Sequence, residues 1–177
     1  MPEKKELFGK AKEEMRLSEK ILAEIPGFRG YKEKELRRET DKLIRNHTYD
    51  KICNVRDDLK EIFQKLSDQH LHEVLTDMDR LIMKFDRVAE KVNHASYGYA
   101  GFFDVLKIDE EKLDKMIDFD SGLIDYARKI GEETDVFKKE IIEGQFEKVM
   151  EHIRNLRASL DSLEDIFDSR KEAISEG

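Results

Sequence analysis

The sequence predicts an all-α protein, an elongated antiparallel bundle of about five long helices with coiled-coil-like packing. Three observations predict this fold. Apolar residues recur at alternating spacings of three and four positions along almost the whole chain. Only 9 glycines and 2 prolines interrupt the 177 residues, and charged side chains, which suit solvent-facing helix surfaces, make up 42% of them. No linker or low-complexity tract divides the chain, so residues 1–177 are predicted to form a single domain.

The first two predicted helices are separated by a strong stop signal. Helix one carries apolar residues over 8–25 and ends at Pro26, because proline cannot continue the helical hydrogen-bond ladder. Helix two begins near Tyr31 and carries its apolar face to Leu66. It is either unbroken or interrupted near residues 46–48.

The third predicted helix is the most apolar one. It runs over residues 71–92 with three apolar positions per heptad, a wider stripe than a two-stranded seam needs. Such a stripe indicates several neighbours, so we expect this helix at the centre of the bundle. Residues 93–108 are predicted to form a loop rich in glycine and aromatic residues.

The last two predicted helices form an antiparallel hairpin. Asp109 is placed to cap helix four, whose apolar register continues through Gly131 and stops at Gly144, the usual residue type just past a helix end. Helix five carries its apolar face from Phe146 to Phe167. The two helices are similar in length and joined by a short link, which favours side-by-side packing.

Overall charge and hydropathy disfavour several classes of function. Acidic residues outnumber basic ones by 41 to 33, giving a net charge of -8, which disfavours nucleic-acid binding. No apolar run approaches the ~18–20 residues that a membrane span needs, and the N-terminus lacks an apolar signal core, so we expect a cytoplasmic protein. Heavy use of lysine and glutamate, with glutamine only at 64, 69 and 145, is typical of thermophile proteins.

The motifs of known chemistries are missing or incomplete in the sequence. No histidine follows a glutamate by three positions, as a carboxylate-bridged metal site would need, and Cys53 has no partner cysteine. Residues 118–122 faintly resemble the start of a calcium loop, but the sixth and twelfth positions, which require glycine and glutamate, hold Leu123 and Lys129. Residues 97–101 lack the lysine and hydroxyl of a phosphate-binding loop. We therefore predict no catalytic residue, no metal and no cofactor, and enzymatic activity is not favoured.

A basic stretch over residues 28–46 stands out from the acidic chain. Seven bases and four acids give it a balance of +3, and Glu33–Arg37 and Asp41–Arg45 are spaced to pair on a helix surface. One interpretation is a solvated face neutralised by acidic neighbours in the bundle. The other is an anion-binding face for phosphate, RNA, acidic lipid or an acidic partner. The bases of that face would be Arg29, Lys32, Lys34, Arg37, Arg38 and Lys42.

A second unusual stretch lies at residues 93–104, where four aromatic residues stand among small ones. In one interpretation, Phe102 and Phe103 fold back to cover the end of the bundle. In the other, Tyr97 and Tyr99 are the contact anchors of a recognition loop. The two interpretations are compatible with each other, so both can hold.

These two stretches also carry a family resemblance. The blocks at 25–45 and 95–104 resemble those of a family of bacterial and archaeal helical proteins that has no established activity. This sequence has Phe28 where tyrosine is expected in the family. The resemblance implies a prokaryotic origin and carries over no catalytic role. Its signature residues here are Gly27, Arg29, Gly30, Tyr31, Lys32, Arg37, Arg38, Tyr97, Gly98, Tyr99 and Gly101.

Three hypotheses of function follow. The first is a non-catalytic helical interaction or scaffold protein that binds an unidentified protein partner or a second copy of itself. The second is an anion-binding module, which includes peripheral contact with acidic lipid. The third is an enzyme with an unrecognised site between the two stretches. The candidate binding residues are Arg29, Tyr31, Lys32, Lys34, Arg37, Arg38, Lys42, Tyr97 and Tyr99.

Overall fold

The computed structural model describes the backbone of residues 19–29, 34–95 and 110–175, and the side chains of residues 19–29, 39–95, 115–170 and 172. Within these ranges the protein is all-α, as predicted, and none of the described helices is both long and apolar enough to cross a membrane. The helices are α1, a helical stretch at 19–24, α2 (Lys34–Asp68), α3 (His72–His94), α4 (Glu110–Ile142) and α5 (Val149–Ser175).

The four long helices form two antiparallel hairpins, α2–α3 and α4–α5, that pack side by side. Across the hairpins, α2 lies against α4 and α3 lies against α5. Ion pairs show that α3 and α5 run in the same direction. Lys84 of α3 contacts Asp161 of α5, and seven residues further along both helices Lys91 Nζ lies 2.6 Å from Asp168 Oδ2. Neighbours from different hairpins therefore run parallel, whereas neighbours within a hairpin run antiparallel.

The expected central position of α3 is wrong. Helix α3 occupies one corner of a four-helix arrangement, with α2 on one side and α5 on the other. Its wide apolar stripe is explained by these two neighbours, because each covers a different edge of the stripe. The residues buried on α3 are Val74, Met78, Leu81, Ile82, Phe85, Val88, Ala89 and Val92.

Helix α1 packs on the outside of the α2–α4 pair. Its apolar residues Ile21 and Ile25 are buried, as is Phe28 in the segment that follows. Arg128 of α4 reaches Glu24 at 3.8 Å, and Lys20 pairs with another acidic residue of α4. These contacts fix the start of the chain segment that leads into α2.

The end of helix one at Pro26, the stop of α4 before Gly144 and an unbroken α2 are confirmed, whereas α5 continues to Ser175, beyond the predicted apolar face. The predicted start of helix two near Tyr31 and the predicted cap at Asp109 lie outside the described residues. Helix α2 has 35 residues and no break, so it spans ~52 Å at the usual rise per residue. The chain reverses after α1 at Gly27 (φ +89°) and after α4 at Gly144 (φ +77°), conformations that glycine adopts without a steric penalty. Gly131 lies inside α4, as its register predicted.

Gly131, inside α4, and Gly144, just past its end, make a matched pair for one prediction. A Cβ added at either Gly131 or Gly144 meets no atom within 4 Å, so only the backbone conformation differs. We expect Gly131→Ala to raise the free energy of unfolding by about 1 kcal/mol, because alanine favours the helix. Gly144→Ala should lower it by about 1–2 kcal/mol, because a side chain disfavours the left-handed conformation. Urea unfolding followed by circular dichroism measures both changes. If both variants were stabilised, or both destabilised, the helical conformation of Gly131 and the left-handed conformation of Gly144 could not both be correct.

Candidate binding site

The described helix ends that adjoin the two stretches singled out in the sequence lie at the same end of the bundle. Helix α2 begins at Lys34, and α3, which runs antiparallel to it, ends at His94. Helix α4 begins at Glu110 and α5 ends at Ser175 on this side as well. We call this side the motif end, and it holds both of the polar features described below.

A buried charge cluster lies inside the motif end. It consists of Asp41 and Arg45 of α2, Asp120 of α4 and Arg170 of α5, all buried. The guanidinium of Arg170 donates through Nη1 to Asp41 Oδ1 at 2.7 Å and through Nε to Asp120 Oδ1 at 2.6 Å. Arg45 Nε donates to the other oxygen of Asp41 at 2.8 Å. Two acids and two bases thus balance one another and join three helices.

Arg170 is the centre of this cluster and stays charged. Burial alone would lower its pKa, but the charges of Asp120 and Asp41 and their hydrogen bonds outweigh burial and raise the pKa above its ordinary value. Its side chain is 1% exposed and reaches from α5 to α2 across the interior of the bundle. Breaking such a pair from one side leaves a buried charge uncompensated, so the cluster fixes how α5 packs on α2 and α4.

The cluster corrects one expectation about the basic stretch. Asp41 and Arg45 do pair, as their spacing predicted, but they face the interior and not the solvent. Their charges therefore belong to the core. The exposed charge of this stretch comes from other residues.

Sequence reasoning missed Asp120 and Arg170, although the apolar spacing contained a signal. Arg170 follows Phe167 at the next stripe position of α5, and Asp120 lies between Met116 and Leu123 on the stripe of α4. A base and an acid at core positions of two neighbouring helices indicate a buried ion pair.

A groove lies beside the charge cluster, between the segment after α1 and the first half of α2. Its volume is about 350 Å³. The reversal at Gly27 brings the chain back along α2, where an added Cβ would lie 3.9 Å from Leu43 Cδ1. The groove is lined by Gly27, Arg29, Glu39, Lys42, Leu43 and Asn46.

The cations of the groove are exposed and carry no ion pair among the described residues. Arg29 and Lys42 both face solvent. By contrast, cations between other helices pair across the boundary: Arg56 of α2 contacts Asp86 of α3 at 2.9 Å, and Lys138 of α4 contacts Glu61 of α2 at 2.7 Å. Two cations and the single carboxylate of Glu39 leave the groove lining with a balance of +1.

The structure brings together only part of the predicted binding set. Arg29 and Lys42 line the groove. Three further predicted residues belong to the first turns of α2, with side chains outside the described part of the chain: Lys34, Arg37 and Arg38. The remaining four lie entirely outside the described residues: Tyr31, Lys32, Tyr97 and Tyr99.

Four groove residues of α2 share one face of the helix. Glu39, Lys42, Leu43 and Asn46 are separated by three, one and three positions, which places them in line. Leu43 is half-buried, packs against the core and forms an apolar part of the groove. The helical spacing could have shown this face, whereas the approach of Gly27 depends on the tertiary fold.

Comparisons with protein-family models, with curated proteins and with solved structures give no match to this chain. The family resemblance of the two sequence blocks therefore stays a prediction. Among the side chains that the structure describes, no group of three or more histidine, cysteine, aspartate or glutamate residues is arranged to hold a metal ion. The groove is thus the feature on which we base a functional interpretation.

Proposed function

We propose that this protein is a helical interaction module that docks a protein partner in the groove at its motif end. The observation that carries the proposal is the pairing of two exposed cations, Arg29 and Lys42, with an apolar side chain, Leu43, in one groove. Arginine beside apolar surface is typical of residues that dominate binding energy at protein interfaces.

The charge cluster supports this proposal because it ties the α2 wall of the groove to neighbouring helices. Asp41 and Arg45 point inward from the same turns of α2 that present Lys42 and Asn46 outward. Their hydrogen bonds tie these turns to α4 and α5 through Arg170. A surface held in its binding conformation loses less entropy when a partner docks.

The size of the groove is compatible with part of a protein segment. At about 350 Å³ it lies at the small end of the ~300–1,000 Å³ typical of ligand pockets. It has room for a few side chains of a docked segment, while the rest of the partner contacts the surrounding helix faces. The second hypothesis, a site for polyanions, uses the same two cations, but Glu39 in the lining and the net charge of -8 oppose it.

A charge-reversal pair tests the proposal. We expect that the wild type captures a protein partner from a prokaryotic cell lysate and that the double variant Arg29→Glu/Lys42→Glu does not. The captured protein, identified by mass spectrometry and then purified, should bind the double variant at least about tenfold more weakly in calorimetry, equivalent to ~1.4 kcal/mol. The reason is the replacement of two attractive charges by repulsive ones at the contact surface.

The matched control is Lys51→Glu/Lys65→Glu, which makes the same charge change at two exposed lysines of α2 outside the groove. The control should bind the purified partner like the wild type. Equal loss in both double variants would show a general charge effect and contradict docking in the groove. Recovery of RNA in place of a protein would favour the anion-binding hypothesis.

A further inference from the structure

We propose that the groove recognises a single acidic residue next to an apolar residue in the docked segment of the partner. This inference rests on the proposed function and adds the chemistry of the ligand. It follows from three properties of the lining: its charge, its apolar part and its remaining polar groups.

The charge of the lining selects one acidic side chain and not a run of them. Arg29 and Lys42 line the same groove, and an arginine fork and a lysine ammonium both suit a carboxylate. Glu39 in the same lining repels a second carboxylate placed beside it. The net charge of -8 further disfavours extended polyanions, whose binding relies on long-range attraction.

The apolar part of the lining selects the neighbour of that acid. Leu43 is half-buried, packs against the core and lines the groove beside Lys42. Gly27 lies next to Leu43 and has no side chain that could cover the Leu43 side chain. An apolar side chain of the partner placed here removes the remaining surface of Leu43 from water.

The remaining polar groups suit the main chain of a peptide. Asn46 has an amide that both donates and accepts, and the Glu39 carboxylate accepts hydrogen bonds from peptide N–H groups. The phosphate oxygens of a nucleic acid or a lipid headgroup only accept hydrogen bonds and are negatively charged, so the Glu39 carboxylate repels them. The lining therefore fits an acidic and apolar pair within a protein segment better than a nucleic acid or a lipid headgroup.

An arrayed library of random synthetic peptides tests this chemistry with the full chain. The wild-type protein should enrich peptides with one aspartate or glutamate beside an apolar residue. Lys42→Glu should lose at least about tenfold in affinity for an enriched peptide, and Lys65→Glu, on the same helix, should not. A peptide in which lysine replaces the acidic residue should bind Lys42→Glu better than it binds the wild type, since the charges are then exchanged.

The outcomes separate this inference from the proposed function. Two results would overturn recognition of an acidic residue beside an apolar one. They are enrichment of neutral, basic or polyacidic peptides, and equal affinity of Lys42→Glu and the wild type for an enriched peptide. Docking of a protein partner in the groove would remain compatible with either result. Absence of any enriched peptide, together with binding of polyuridylate RNA or of vesicles that contain acidic phospholipid, would overturn both. Loss of binding in Lys42→Glu with rescue by the exchanged peptide would support both.

Discussion

Replacing Arg170 by methionine is expected to lower the free energy of unfolding by about 3–5 kcal/mol. The substitution keeps the apolar volume of the side chain but removes the cation that Asp41 and Asp120 face in the interior. Asp41 then keeps the contact with Arg45, while Asp120 loses the hydrogen bond that Arg170 Nε donates. Urea unfolding followed by circular dichroism measures the change.

Two variants show whether the effect comes from the charge. Arg157→Met makes the same change at an exposed arginine of α5 and should alter stability by less than about 0.5 kcal/mol. Adding Asp120→Asn to Arg170→Met removes the charge of a buried carboxylate that has lost its Arg170 contact, and should recover part of the loss. A loss below about 1 kcal/mol in Arg170→Met would contradict a structural role for the charge cluster.

Replacing Phe85 by alanine is expected to cost about 3–5 kcal/mol in the free energy of unfolding. The ring is 0% exposed and belongs to the stripe of α3 that contacts α2 and α5. Truncation loses the transfer free energy of the ring and leaves a cavity that neighbouring helices fill only in part. The measurement is again the urea unfolding transition.

Met83 provides the control for this prediction, because it lies two residues away on the same helix and is 63% exposed. Met83→Ala should change stability by less than about 0.5 kcal/mol. Similar losses in the two variants would place the buried face of α3 elsewhere. They would also contradict the two-hairpin packing, which depends on which residues of α3 face inward.

The helices could be predicted from the sequence because their signals are local. Apolar spacing marked the faces of α2 to α5, and Pro26 and Gly144 marked two helix ends. The position of α3 could not be predicted, because a wide apolar stripe fits two flanking neighbours as well as a central position. Which helices touch depends on how hairpins pack, and no local spacing encodes that.

The candidate site could be predicted only in part for the same reason. Charge patterning identified Arg29 and Lys42, and spacing paired Asp41 with Arg45. The partner that turns this pair inward, Arg170, lies 129 residues away from Asp41, so only the tertiary fold shows the contact. The groove depends in the same way on the return of the chain along α2 after α1.

The charge cluster and the groove together give a physical account of the motif end. The inward side chains of α2 fix the helix to α4 and α5, and its outward side chains remain available for contact. Stability and recognition therefore use different faces of the same turns. Substitutions of exposed groove residues should change binding with little effect on unfolding, since surface changes away from buried networks cost little.

The most direct test of docking in the groove is nuclear magnetic resonance of the isotope-labelled full chain, titrated with its purified partner. Backbone amide shifts should change at residues 27–29 and 39–46, and the Arg29→Glu/Lys42→Glu variant should show no such changes at the same partner concentration. Shifts confined to the opposite end of the bundle, around the turn between α4 and α5 at residues 143–148, would contradict the proposed function.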